Sequence, residues 1–245
     1  MPVAPITEKM YSLEEKFDAT PEVLIVRFRP EDGGANTFEP GMFMMISGVD
    51  SAGKKYIGRA FSISSDPSSP GMEFMIIKQH MKGDQLNKSH FVDAQIGDKF
   101  MLKGPNGQFK FDPNQDKKVF FIAGGTGLAP FMSMLRHVKL ENSGNDIIML
   151  YSVKFPTEVI MKDELGNLAN SLKAKLVVTV TRPPADGSYT GQTGHIDAAM
   201  VTKYCSDITE RTFYICGPLP FVQAVKQALA SLSIPDQRVK ADVWG

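Results

Sequence analysis

Two rhythms of apolar and polar residues divide this chain. Up to about residue 112, short strand-like runs alternate with turn signals: Glu22–Phe28, Met42–Ser47 and Glu73–Lys78 are separated by Pro30-Glu31-Asp32-Gly33-Gly34 and Asp66-Pro67-Ser68-Ser69-Pro70-Gly71. Short strands at this spacing predict an antiparallel barrel or sandwich. The methionines Met42, Met44, Met45, Met72 and Met75 read as its core, because a flexible thioether fills irregular gaps. After Asp112-Pro113-Asn114-Gln115-Asp116 the rhythm changes. Apolar runs at Val119–Ala123, Ile147–Tyr151, Leu176–Val180, Thr212–Cys216 and Arg238–Val243 interleave with helical stretches at Pro130–Leu140, Thr157–Asn170, Ile196–Lys203 and Pro220–Leu232. That alternation predicts βαβ units and a doubly wound parallel sheet. With the linker near 113–117, the domains are 1–113 and 117–245.

Composition narrows the function classes. The 245 residues carry 27 Lys plus Arg against 27 Asp plus Glu, so no global field favours nucleic acid or an anionic membrane. Locally, Lys82, Lys88, Lys99, Lys103, Lys110, Lys117 and Lys118 make the middle of the chain basic, either as a solvated surface or as a dock for an acidic electron-transfer protein. Two cysteines without CxxC spacing exclude a four-thiolate cluster and a disulfide framework. His80, His90, His137 and His195 lack metal-ligand spacing, so no metal is expected. No apolar run approaches the roughly 18–20 residues that span a bilayer. MPVAPITEKMYSLEEKF has no basic region followed by an apolar one, so the expectation is a soluble, cytoplasmic protein without membrane insertion.

Candidate chemistry sits in four short stretches. Residues 121–131 read FIAGGTGLAPF, a strand running into a glycine turn and a helix. Such a turn lets backbone N–H groups approach a pyrophosphate, though it also serves as a plain tight connection. Arg59-Ala60-Phe61-Ser62-Ile63-Ser64-Ser65 offers a guanidinium suited to phosphate, an aromatic platform and several hydroxyls; alternation puts Arg59, Phe61 and Ile63 on one face. Tyr214-Ile215-Cys216-Gly217-Pro218 ends a strand where an open α/β sheet places ligands. Asp242-Val243-Trp244-Gly245 ends the sequence with its single tryptophan.

In this order, from about residue 10 onward, these stretches resemble the ferredoxin–NADP reductase superfamily. The resemblance implies an N-terminal, flavin-binding Greek-key barrel and a C-terminal, nicotinamide-binding α/β domain. Arg59 would pair with the flavin phosphate, Phe61 would contact the flavin where tyrosine is usual, and Ser62, leading into Ile63, would hydrogen-bond its N5 edge. A second flavin segment would run from Ile77-Lys78 into a loop starting at Gly83, with Gln85 and Asn87 where the family has Ser or Thr; FAD is expected and FMN stays open. Gly104-Pro105-Asn106-Gly107-Gln108-Phe109 resembles the turn that bounds the last barrel strand.

Gly124, Gly125, Thr126, Gly127 and Pro130 match the family's pyrophosphate loop, without the GxGxxG fingerprint or the acidic residue about 20 positions on. Thr181 and Arg182 would choose between NADPH and NADH; a hydroxyl beside a guanidinium suits the extra phosphate of NADPH, while Arg182 also reads as an exposed side chain. Cys216, Gly217 and Pro218 would lie beside the nicotinamide, Cys216 holding the hydride-transfer geometry without acting as a nucleophile. Trp244 would cover the flavin face and yield it to the nicotinamide, with Asp242 standing where glutamate is common. The function implied is an NAD(P)H-dependent flavoprotein reductase. Electrons would leave singly for a separate redox protein: ferredoxin, flavodoxin, an oxygenase component or a cytochrome. A free-flavin or quinone reductase, an electron-transfer subunit of a larger complex and a redox-sensing binding module are the alternatives, and the oligomeric state stays open.

Overall fold

The short runs of the first half pair as antiparallel strands whose alternate side chains fill one interior. A computed structural model describes residues 5–34, 37–49, 55–56, 58–78 and 88–244. Contacts group them into Met1–Phe111 with Met132–His137, and Asp112–Phe131 with Val138–Gly245. The first unit contains β1 (Thr7–Thr20), β2 (Val23–Pro30), β3 (Phe43–Gly48), β4 (Arg59–Ser62), β5 (Met72–Ile77), the short helix α1 (Lys88–Val92) and β6 (Lys99–Asn106). Six strands follow the order β4-β3-β6-β1-β2-β5. A bridge between Ile63 and Phe74 brings the two edges together, giving a nearly closed antiparallel barrel. Leu13, Val26, Phe28, Met44, Ile46, Ile63, Phe74 and Leu102 make up its buried core.

Pleating separates the methionines. Met42, Met44 and Met72 lie in the barrel core, whereas Met45 is half-buried on the opposite face of β3. Met75 is buried, yet it alternates with the core residues Phe74 and Ile76 and so faces out of the barrel, as does Glu73. Gly104–Asn106 prolong β6 instead of leaving it, and the turn follows at Gly107, whose φ is +112°.

The second unit comprises β7 (Lys118–Gly124), α2 (Ala129–Glu141), β8 (Asp146–Val153), α3 (Lys162–Ser171), β9 (Lys175–Val180), β10 (Gln192–Thr193), α4 (Ala198–Tyr204), β11 (Thr212–Pro218), α5 (Leu219–Ser231) and β12 (Val239–Trp244). Residues Met132–His137 of α2 group with the barrel. The parallel sheet runs β10-β9-β8-β7-β11-β12. The chain winds outward from β7 to β10, then returns to the other side of β7. Both faces of the sheet are covered, which is why β7 and β8 read as continuous apolar runs. Phe121 stacks on Phe131 of α2 at 5.0 Å, while Phe120 and Ile122 pack with Val222, Val225 and Leu229 of α5. The helix expected over Thr157–Asn170 begins only at Lys162. A 3-10 turn covers Pro156–Glu158, and Ile160 is then drawn into the core, its N–H donating to the Tyr151 hydroxyl at 3.4 Å.

Asp112–Lys117 is well held. Asn145 Nδ2 donates to the carbonyls of Pro113 and Asp116, and the Asp116 carboxylate accepts from the Tyr214 hydroxyl at 2.6 Å and Lys240 Nζ at 3.0 Å. At the opposite edge of this sheet from its carboxyl ends, buried Arg211 donates to both Asp207 oxygens, to Asp146 Oδ2 and to the carbonyls of Val119 and Asp146. Hydrogen bonds, first of all from Arg211, hold the Asp207 carboxyl well below its ordinary range. A carboxylate depressed in the folded state contributes stability above its unfolded pKa and loses it as pH falls through the folded value. The urea midpoint is therefore expected to drop on acidification from about pH 5 to about pH 3, with a shallower drop in Asp207→Asn measured from that variant's own neutral value.

Candidate functional site

In the barrel unit, Arg59, Phe61 and Ser62 occupy β4, facing Ile46, Met44 and Phe43 across the β3 ladder. Phe61 is half-buried and sets its ring edge-on to Phe91 at 5.5 Å. Ile63 is fully buried and donates its N–H to the Met42 carbonyl at 3.0 Å. The expected run of hydroxyls divides here: Ser64 Oγ donates to Glu73 Oε1 at 2.9 Å, and Ser65 Oγ accepts the Glu73 N–H at 3.2 Å. The half-exposed Ser62 hydroxyl makes no hydrogen bond among the described residues. Ile77 ends β5 opposite Val23, and Lys78 Nζ pairs with Asp18 at 2.9 Å. Gly83 and Asn87 lie outside the described residues.

Of the seven lysines of the expected basic middle, Lys82 and the side chain of Lys88 lie outside the described residues, and three others are ion-paired. Lys99 pairs with Glu31, Lys110 with Glu39, and Lys118 with Asp207 and Glu210. Lys117 Nζ donates to the Ser143 carbonyl.

In the sheet unit the predicted residues gather at the carboxyl ends of β7 and β11, where the winding reverses. Crevices of this kind take ligands in open α/β sheets. Gly124 closes β7, Gly125–Leu128 form a 3-10 turn, and α2 starts at Ala129 with Pro130 in its first turn. Three glycines are required by packing. A Cβ on Gly127 would stand 2.2 Å from the Cys216 carbonyl oxygen, and one on Gly124 or Gly217 would lie 2.9 or 2.7 Å from the Phe221 ring. Gly125 differs: its φ is +54° and a Cβ there would meet nothing within 4 Å. Thr126 is half-buried beside it. The cradle is thus closed behind and open in front, with the positive end of a 13-residue helix beside it. That arrangement fits a dinucleotide pyrophosphate. Phe221, the wall of the cradle, was not singled out by sequence; its only signal was its place just after the Gly217-Pro218 turn.

Cys216 is fully buried and pairs in register with Ala123 on one side and Asp242 on the other. Burial, then the Asp242 charge, hold its thiol well above the ordinary range. Pro218 pairs with Trp244 at the ends of β11 and β12, and the buried indole Nε1 finds no partner among the described residues. Along the same edge, the Thr181 hydroxyl donates to the Val153 carbonyl at 3.3 Å, leaving the exposed Arg182 as the cation at the end of β9.

Comparison with known proteins matches these two halves separately. The family described as oxidoreductase FAD-binding domain matches residues 10–111, and that described as oxidoreductase NAD-binding domain matches residues 121–227. The reductase component of propane 2-monooxygenase from Mycolicibacterium goodii is 27% identical over 99% of this chain and 68% of its own length. The glycine betaine monooxygenase reductase subunit of Chromohalobacter salexigens is 30% identical over 79% of this chain, which spans about half (52%) of that relative. The structure of the ferredoxin reductase in carbazole 1,9a-dioxygenase superposes with a TM-score of 0.84 at 22% identity, covering 100% of this chain and 71% of that one. The chain belongs to the oxidoreductases that join an FAD-binding domain to an NAD-binding domain. Among the described residues, no His, Cys, Asp and Glu cluster could hold a metal ion, and no helix is long and apolar enough to cross a membrane.

Two outcomes follow from this packing. Gly127→Ala forces backbone apart and is expected to cost about 3 kcal/mol or more in urea unfolding. Gly125→Ala meets only backbone strain, about 1–2 kcal/mol; the reverse order would contradict the packing described. Burial also raises Cys205, to about 11, with its hydrogen bond to Asp207 adding to the effect. Iodoacetamide at about pH 8 is expected to leave both cysteines of the native protein unmodified and to label both after denaturation, read by intact mass.

Proposed function

We propose that the chain takes a hydride from NAD(P)H and delivers electrons singly, by way of FAD, to a separate protein acceptor, an oxygenase component. The observation that carries the reading is the glycine cradle at the β7–β11 switch point, built into the same chain as the guanidinium-and-hydroxyl strand Arg59–Ser62. The names of the relatives support the acceptor class: both are reductase parts of monooxygenases. The setting is read as cytoplasmic, and the working boundaries are 1–113 for flavin and 117–245 for the nicotinamide.

FAD, when bound, supplies the change from two-electron to one-electron transfer. The protein holds and shields. Arg59 anchors phosphate, and Ser62, whose hydroxyl has no partner among the described residues, offers a proton toward the flavin N5 edge. Gly124–Gly127 and the start of α2 hold the nicotinamide's pyrophosphate. Cys216 remains a neutral thiol and packs beside the ring without attacking it. Trp244 would supply an aromatic face to a bound cofactor ring, and its Nε1–H, without a partner among the described residues, is a donor suited to a cofactor carbonyl or ribityl oxygen. Arg182, exposed at the end of β9, favours NADPH over NADH.

The test is an absorbance spectrum of the purified protein, before and after anaerobic NADPH and then NADH. Flavin bands bleached by one of them support the reading and rank the nicotinamides. A colourless protein that takes up neither FAD nor FMN overturns it. Ser62→Ala is expected to slow flavin reduction by about 10²-fold or more, and Trp244→Ala to tighten nicotinamide binding by removing a competing stack. Stopped-flow traces that change in neither variant refute those two roles.

A further inference from the structure

A buried carboxylate that belongs to none of the sequence motifs lies at the end of the β4 strand. Glu73 is 3% exposed and faces out of the barrel, since its neighbour Phe74 faces in. Its Oε1 accepts from Ser64 Oγ at 2.9 Å and from Arg136 Nη1 at 2.7 Å, and its Oε2 accepts from Arg27 Nε at 2.9 Å. Arg136 Nη1 also donates to the Ser64 carbonyl at 2.7 Å, and the Ser64 N–H donates to the Glu73 carbonyl at 2.8 Å. The N–H, carbonyl and hydroxyl of Ser64 are therefore all engaged. The next residue of α2 repeats the grip: His137 Nδ1 lies 3.2 Å from Asp66 Oδ2, while Asp66 Oδ1 accepts the Ser68 N–H at 2.7 Å.

Closing the barrel does not call for this charge. The Ile63–Phe74 bridge and the backbone bond from Ser64 already join β4 to β5. A buried carboxylate is costly unless fully paired. Burial alone would raise the Glu73 pKa, and the charge and hydrogen bond of Arg136, helped by Arg27 and Ser64, instead hold it below its ordinary value. What the arrangement adds is a fixed path for the chain leaving Ser62, two residues before Ser64. The Ser62 hydroxyl has no hydrogen bond among the described residues, so what the clamp fixes is the backbone and Cβ position from which that hydroxyl swings, leaving its rotamer for a bound flavin to choose.

We propose that Glu73 and Arg136 are positioning residues for the flavin-binding strand: by clamping Ser64 they fix the backbone from which the Ser62 hydroxyl reaches the flavin. The proposal rests on the flavin reading given under Proposed function. Neither residue needs to touch the flavin.

The test compares the full-length chain with Ser64→Ala, Arg136→Met and Arg136→Lys. Folding is checked by circular dichroism and thermal unfolding of the apoprotein. FAD affinity is read from quenching of flavin fluorescence, and the bound flavin from the fine structure of its absorbance bands. Folded Arg136→Met is expected to bind FAD about tenfold more weakly, with altered bands, and to reduce its flavin at least about tenfold more slowly with the nicotinamide KM unchanged. Arg136→Lys should recover much of each loss. If Arg136→Met does not fold, Ser64→Ala decides, since it deletes one hydroxyl and keeps every charge; it is expected to shift the bands and weaken FAD in the same direction. Folded variants that lose thermal stability but keep wild-type FAD affinity, bands and reduction rate overturn the proposal and leave a purely structural clamp. A wild-type chain that takes up neither FAD nor FMN overturns the flavin reading itself, and the proposal with it.

Discussion

The backbone of Gly127 lies against the Cys216 carbonyl, and the architecture of the sheet unit depends on that approach. With a Cβ in the way, 2.2 Å from oxygen, the turn after β7 could not pass beside the end of β11. The same closeness keeps β7 and β11 neighbours at the point where the winding reverses. It follows that α2 and α5 leave from one sheet edge on opposite faces, each 13 residues long and each with proline in its first turn. At the start of α2 the Ala129 N–H already donates to the Thr126 carbonyl and Pro130 has none, so each helix start favours nearby negative charge through its dipole. Phe221 then sets the back wall, leaving glycine as the residue that fits at positions 124 and 217. One contact between backbones thus accounts for Gly127, and one aromatic ring for Gly124 and Gly217; together they leave a cradle open on a single side.

Charge is buried in each unit, with opposite sign and the same logic. Glu73 is an anion held by two arginines and a serine; Arg211 is a cation held by two aspartates and two carbonyls. Both satisfy their hydrogen-bonding capacity in full or nearly so, the condition under which a buried charge is tolerated. Arg211 ties the beginnings of β7, β8 and β11 together, far from the cradle along those strands. Glu73 instead sits directly beyond the Arg59–Ser62 strand. The two therefore differ in what a substitution reaches: at Arg211 the parallel sheet alone, at Glu73 the barrel and the strand that offers the hydroxyl.

Much of this was legible because the sheet unit obeys its local pattern. Val119–Ala123, Ile147–Tyr151 and Thr212–Cys216 are buried on both faces and read as apolar runs, and each is a strand within a residue or two of expectation. The barrel was harder. Only a few side chains of β1 are buried, and register shifts after Leu13 and Asp18 put its alternation out of phase, so a 14-residue strand at the centre of the sheet order went unread. The start of α3 was misplaced because Ile160 serves the core instead of the helix. Of the candidate residues, the glycines and Cys216 stand out in sequence because each lies in a short contiguous stretch. Glu73 and Arg136 lie 63 positions apart and meet only through tertiary structure, so no local pattern could reveal them.

Cys216 shows how the two levels combine. Its sequence setting implies a positioning role without nucleophilic attack, and its surroundings give the physical reason. Burial disfavours the thiolate first, and Asp242, its register partner on β12, adds a negative charge that disfavours it further. A thiolate beside a nicotinamide would be a nucleophile facing an electron-poor ring, and addition to that ring would trap the cofactor. A neutral thiol supplies a compact, polarisable surface with no such reaction open to it. On the reading proposed here, Asp242 therefore acts through Cys216 as well as on its own account. Its shorter side chain, where glutamate is common, keeps the charge close to its own strand and so close to the sulfur it holds neutral.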